Sequence, residues 1–263
     1  MIDLIREKLK AANGMEMKIH WTREFLQLLT LKVLGDRAAF KHLAFVGGTA
    51  LRILYDLKRF SEDLDFSLMD EKGYDFETLT KKVLLDVGQS GFDITMSIKQ
   101  KQNVQSAMLK FKGLLWALGL SGFKDELLSV KLDVDTNPPT GANTQMRLVV
   151  KDFAFSVRHF DLPSLFATKL HACFYRKYVK GRDFYDLVWY IGQKIGPNFE
   201  LLNQTVLQTE KVNPKVSREN FKDYMRTHLE PLDFKRVKQD VERFMLDKSE
   251  IKLLDKNLIL SSL

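Results

Sequence analysis

The sequence predicts an α+β (α/β) fold, in which a small mixed sheet flanked by helices occupies residues 1–160 and a helical domain occupies 161–263. Three observations predict it. Short runs in the first part alternate apolar and polar residues with the two-residue period of strands. Longer segments between them repeat apolar residues at helical spacing. After Pro163 the alternating runs cease, and amphipathic helical stretches follow one another to Leu263.

The elements follow in order. The first stretch reads as helical, with Trp21–Leu34 carrying apolar positions on one face. His42–Val46 is a short apolar run that stops at Gly47-Gly48, as a strand does on entering a turn. Thr49 is placed to cap the next helix, ALRILYDLK, whose Leu51, Leu54 and Leu57 form an inward stripe. Asp63–Leu68 (DLDFSL) alternates strictly, so Asp63, Asp65 and Ser67 share one side of a strand and Leu64, Phe66 and Leu68 the other. Tyr74–Gln89 is a helix; Phe92–Lys99, Met108–Phe111 and Leu128–Asp135 are further strands, and Asn137-Pro138-Pro139 breaks the chain. The helical part is punctuated at Lys180-Gly181, Gly196-Pro197, Asn213-Pro214 and Pro231. Phe111, Trp116 and Phe123 are assigned to the core by their size and apolarity.

Composition narrows the classes. With 263 residues, 45% hydrophobic and 29% charged, the chain has the balance of a globular protein with a sizeable core. No run approaches the roughly 20 apolar residues of a bilayer span, and the charged N-terminus lacks the apolar centre of a secretory signal. The single cysteine, Cys173, excludes an intrachain disulfide framework. A reducing cytoplasm is the simplest home. The five histidines show no ligand spacing and read as structural or surface residues, and the net charge of +7 points to anionic partners.

Two acidic pairs stand out in this basic chain. Asp63 and Asp65 project from one face of their strand, and Asp133 and Asp135 (KLDVD) do the same from theirs. Adjacent carboxylates repel, and a divalent cation such as Mg²⁺ relieves the repulsion by coordination. Gly47-Gly48 lies between a strand and a helix, where glycine permits unusual backbone angles and the helix N-terminus favours an anion. An anion cradle followed by a carboxylate pair on the next strand is the arrangement that nucleoside triphosphate chemistry needs. Arg59 and Ser61 flank the first pair and are candidate phosphate contacts. Lys169, Arg176 and Lys180 fall at spacings of seven and four, along one helical face that is either solvated or turned to phosphate. Cys173 shares that face in a packing role. Arg182 and Asp183 read equally as an ion pair at a helix start.

GGTALR followed by RFSEDLDF resembles motif I of the polymerase-β-like nucleotidyltransferases, in the version carried by the AbiEii/AbiGii (MenT-like) toxins. KLDVDTNPP (131–139), ATKLHACFYRKYVKGRDFYDL (167–187) and LDFKRVKQDVERFM (232–245) extend the resemblance over most of the chain. It implies that Gly47, Gly48 and Thr49 cradle the triphosphate, that Asp63 and Asp65 are Mg²⁺ ligands, and that Asp133 is the third carboxylate, which also deprotonates the attacking hydroxyl. Spacing alone does not choose between Asp133 and Asp135. The resemblance matches Lys169 to a lysine that contacts nucleotide phosphates, and Asp183 and Asp186 to an R-D-x-x-D element whose nearer member the sequence leaves open. The sequence has Gly-Thr where many relatives have Gly-Ser.

The implied activity is a Mg²⁺-dependent transfer of NMP from an NTP to an acceptor hydroxyl, with tRNA as acceptor and no membrane; the spacing of the basic residues makes Arg176 and Lys180 candidate nucleic-acid contacts. The implied setting is a toxin–antitoxin or abortive-infection pair with an antitoxin protein as partner. The alternatives are transfer to a small molecule or protein, and a non-catalytic nucleic-acid-binding module of the same fold.

Overall fold

The computed structural model describes residues 1–263. Seven strands form one mixed sheet in the order β3-β4-β5-β2-β1-β7-β6. They are β1 (Leu43–Val46), β2 (Asp63–Leu68), β3 (Ile94–Lys101), β4 (Val104–Phe111), β5 (Leu128–Asp135), β6 (Thr144–Val150) and β7 (Ala154–Phe160). β1 pairs antiparallel with β2, β2 parallel with β5, and β3, β4 and β5 form an antiparallel meander. β1 also meets β7 in parallel.

The chain divides into two compact units. The first comprises Met1–Ala50, Ser61–Pro138 and Met146–His159; the second comprises Leu51–Phe60, Pro139–Gln145 and Phe160–Leu263. In the first, the helices α1 (Ile2–Leu9), α2 (Met15–Asp36) and α4 (Phe76–Gln89) accompany the sheet, with α2 packed on β5 and α4 on β3 and β4. The alternation in β5 buries Leu128, Val130, Leu132 and Val134 and leaves the intervening residues partly open. Phe45 and Phe66 meet across β1 and β2 with tilted rings at 5.4 Å, and Phe92 meets Phe111 edge-on at 5.5 Å. The helix α3 (Gly47–Tyr55) starts in the first unit and ends in the second.

The second unit is helical: α6 (Leu162–Tyr175), α7 (Gly181–Gly192), α8 (Phe199–Glu210), α9 (Phe221–Leu229), α10 (Phe234–Val241) and α11 (Lys256–Ser261). The Asp161 carboxylate caps α6 by accepting from the Ser164 N–H at 2.9 Å, with Pro163 in the first turn where no donor is lost. Tyr190 stacks on Phe166 at 4.4 Å within the core. Gly181 opens α7 against α10: a Cβ there would lie 2.0 Å from the Val237 carbonyl oxygen, so only glycine lets the two backbones meet.

Several expectations are corrected. Trp116 is 52% and Phe123 77% exposed, so the short helix α5 (Leu114–Ala117) and the loop after it carry large apolar side chains outside the core; Phe111 alone of the three is buried. Two strands, β6 and β7, occupy the stretch after the proline break that the sequence left unassigned. Arg176 and Lys180 do not continue the helix of Lys169. α6 ends at Tyr175, Arg176 is already extended, and Lys180 stands just before α7. No helix is long and apolar enough to cross a membrane.

Candidate functional site

In the first unit the two acidic pairs meet. The parallel register of β2 and β5 sets Asp65 opposite Asp133, Asp63 opposite Lys131 and Ser67 opposite Asp135. Paired residues share a face, so the carboxylates gather opposite the buried Leu64, Phe66, Leu132 and Val134. Asp133 divides its two oxygens: Oδ2 accepts from the Lys131 Nζ at 2.5 Å, while Oδ1 is buried without a hydrogen-bond partner. Burial works to lower the Lys131 pKa, but Asp133, with Asp63 and Asp65 behind it, outweighs burial and holds it above the ordinary lysine value. Burial raises the Asp135 carboxyl, although its Oδ1 accepts from the Asn137 N–H at 2.9 Å.

Gly47 adjoins this row. It has φ of +80°, and a Cβ on it would stand 2.5 Å from Asp65 Oδ2. Glycine is therefore required twice, by its backbone conformation and by the approach of the carboxylate. Gly48 and Thr49 follow in the first turn of α3. Thr49 is fully buried and its hydroxyl donates to the Asp63 carbonyl oxygen, tying α3 to β2. The expected side-chain cap is thus corrected: the hydroxyl locks the cradle to the acidic strand. Ser61 is held through its carbonyl, which accepts from the buried Gln27 of α2 at 3.1 Å.

No three His, Cys, Asp or Glu side chains converge into a ready-made metal cluster. Mg²⁺ does not need one, since it is commonly held by one or two carboxylates with substrate phosphates and water completing its shell. The unpartnered, buried Asp133 Oδ1, in register with Asp65, is an oxygen donor of the kind such a cation takes. The residues present fit the ion.

The second unit holds a different charged group. Arg59, 2% exposed, donates from Nε and Nη2 to the two oxygens of Asp186 at 2.6 Å each, and from Nη1 to the Phe60 carbonyl at 2.8 Å. Lys169 Nζ lies 2.7 Å from Asp183 Oδ1 and 2.9 Å from Asp186 Oδ2, and Arg176 donates to Asp183 Oδ2 at 2.6 Å. Burial opposes charge on Lys169, yet the two aspartates overcome it, against Arg59, and hold the ammonium above its ordinary value. Burial likewise pushes Asp183 up, but Lys169 and Arg176 prevail and keep its carboxyl low. Burial raises the Cys173 thiol well above its usual range, which suits packing and not nucleophilic attack. The reading of Arg59 as a phosphate contact is corrected, because all three guanidinium nitrogens are spent inside this network. Lys180 is exposed.

Sequence reasoning missed Lys131, although it stands in the quoted KLDVD; its spacing of two from Asp133 is the signal that it shares the carboxylate face. It also missed Gln27, which no local pattern marks.

A family model described as nucleotidyl transferase AbiEii toxin, type IV TA system, matches residues 30–255. None of the curated proteins compared matches the chain. Among solved structures, a Helicobacter pylori protein described as a nucleotidyltransferase is similar at 20% identity and a TM-score of 0.47, over 90% of this chain and 95% of that one. JHP933 from Helicobacter pylori is similar at 19% identity and a TM-score of 0.47, over 92% of this chain and 94% of that one. The family match spans both the carboxylate face and the buried ion network, and the chain belongs to the AbiEii nucleotidyl transferase toxin family of type IV toxin–antitoxin systems.

Proposed function

We propose that the protein is a Mg²⁺-dependent enzyme that moves NMP from an NTP to an acceptor hydroxyl, with tRNA as the acceptor, and that it acts as a toxin opposed by an antitoxin partner. The observation that carries this reading is the β2–β5 register, which brings Asp65 and Asp133 face to face beside a glycine that Asp65 itself forbids to be anything else. Gly47, Gly48 and the start of α3 supply backbone N–H groups for the triphosphate. Asp63, Asp65 and Asp133 would hold Mg²⁺, which when bound supplies positive charge to the reacting phosphate.

The chain's own residues do the rest. The acceptor oxygen attacks the α-phosphorus, the bond to the β-phosphate oxygen breaks, and pyrophosphate leaves. The hydroxyl proton passes to the Asp133 carboxylate, which one protein donor only, Lys131, engages. Lys131 keeps one oxygen engaged and so orients the carboxylate. Asp135 lies two residues beyond, opposite Ser67, and faces no second acid across β2. This favours Asp133 as the third carboxylate.

The test is incubation of the purified protein with α-labelled NTPs, one at a time, and total RNA. Label on tRNA, with one pyrophosphate per NMP, is expected. Label on protein or small molecules only would replace the tRNA acceptor, and no transfer with any NTP would overturn the reading.

A further inference from the structure

The face that carries the acids continues beyond them. Lys99 pairs with Ser106, Ser106 with Asp133, Asp133 with Asp65, and Asp65 with Val46, the residue before Gly47. One cross-strand row thus runs from a lysine on the edge strand, through the two carboxylates, to the start of the glycine cradle. Lys101 and Lys110 lie on the same face, at two-residue spacing from Lys99 and Ser106-Met108. With Lys131, Ser106 and Met108 these residues line an open cleft of about 370 Å³. Lys131 is committed to Asp133, whereas Lys99, Lys101 and Lys110 make no ion pair.

We infer that this cleft binds the phosphate backbone of the acceptor RNA, a role that rests on the transfer reading and locates its second substrate. The carboxylates of β2 and β5 stand between the glycines at the end of β1 on one side and the lysines of β3 and β4 on the other. An NTP seated on the glycines leaves only the lysine side of the same face for a polyanion approaching the acids. Neighbouring strands are about 4.8 Å apart, so the Lys99 backbone lies roughly 10 Å across the sheet from that of Asp133. That span is within reach of one or two nucleotides from the reacting end. Lys99 and Lys101 are neighbours on the edge strand, Lys110 stands further along the same face, and no acidic residue is among those that line the cleft. The lining offers ammonium and hydroxyl groups, so it holds backbone and reads no base; binding is sequence-tolerant and salt-dependent.

The experiment compares the wild type with the triple variant Lys99→Gln/Lys101→Gln/Lys110→Gln. Affinity for a labelled single-stranded oligoribonucleotide is followed by anisotropy over a salt series, and NTP binding by calorimetry. Removal of three phosphate contacts is expected to weaken RNA binding at least tenfold and to reduce the slope of log K against log salt by roughly two. NTP affinity stays unchanged, and the triple arginine variant retains RNA binding. Equal RNA affinity and slope in the glutamine variant, or no RNA binding by the wild type, would overturn the inference. So would displacement of the oligonucleotide by an acidic peptide at equal affinity. Failure of the transfer reading itself is distinct: it is the absence of NTP binding and pyrophosphate release in the wild type.

Discussion

Gly47 and Asp65 constrain each other at a single point of contact. Substituting Gly47→Ala places a methyl group 2.5 Å from Asp65 Oδ2 on a backbone with φ of +80°, so the aspartate or the turn must move. The expected result is a loss of about 1–3 kcal/mol in denaturant unfolding and a much larger proportional loss of transfer, because Asp65 leaves its register with Asp133. Asp135 offers a second check. Burial raises its folded-state pKa above 3.8. The stability it contributes is therefore full below the unfolded value and is lost as pH rises through the folded one. Asp135→Asn, which can still accept from the Asn137 N–H, should be more stable than the wild type at neutral pH, and the difference should vanish below about pH 3.8. A stability curve for each protein against pH measures this. At this scale much was legible: both aspartate pairs and the double glycine stand out in the sequence. The role of Thr49 was not, since its partner is the Asp63 carbonyl oxygen and no side-chain pattern records a main-chain acceptor.

Among elements, the sequence spoke clearly where one face is buried and the other is not. DLDFSL and KLDVD were readable as strands because burial imposes a period of two. β6 was not, because Met146, Leu148 and Val150 are all more than 60% exposed and its apolar residues mark no core face. The proposed basic stripe failed for a related reason. Helical spacing from Lys169 to Lys180 holds only if the helix continues, and α6 stops at Tyr175 with no glycine or proline at that point to announce it. What lies there instead is an ion network. Asp186 is fully buried between Arg59 and Lys169. Arg59→Leu removes its bidentate partner and should destabilise the protein by about 3–5 kcal/mol in chemical denaturation, as breaking one side of a buried pair does. Because Lys169 and Arg176 hold the Asp183 pKa below its ordinary value, its contribution is present above the unfolded pKa and lost as pH falls through the folded one. Acidification should therefore weaken the wild type more than a variant with Asp183→Asn.

For the whole molecule, pairing across distance is what local pattern cannot supply. Nothing in DLDFSL or KLDVD says that strands about 70 residues apart lie side by side in parallel; the register of β2 with β5 is a property of the folded sheet. Family resemblance anticipated the meeting of the acids, and the structure adds how it is done: a tie from Thr49, a glycine that yields space to Asp65, and a lysine that occupies one oxygen of Asp133. In the proposed function, this carboxylate face performs nucleotidyl transfer. The most direct measurement is pyrophosphate release with transfer of α-labelled NMP to RNA, by the wild type and by Asp65→Asn, both shown to be folded and matched in concentration. Measurable transfer by the wild type is expected, with a loss of at least about a hundredfold in the variant. Transfer by Asp65→Asn at the wild-type rate would contradict it.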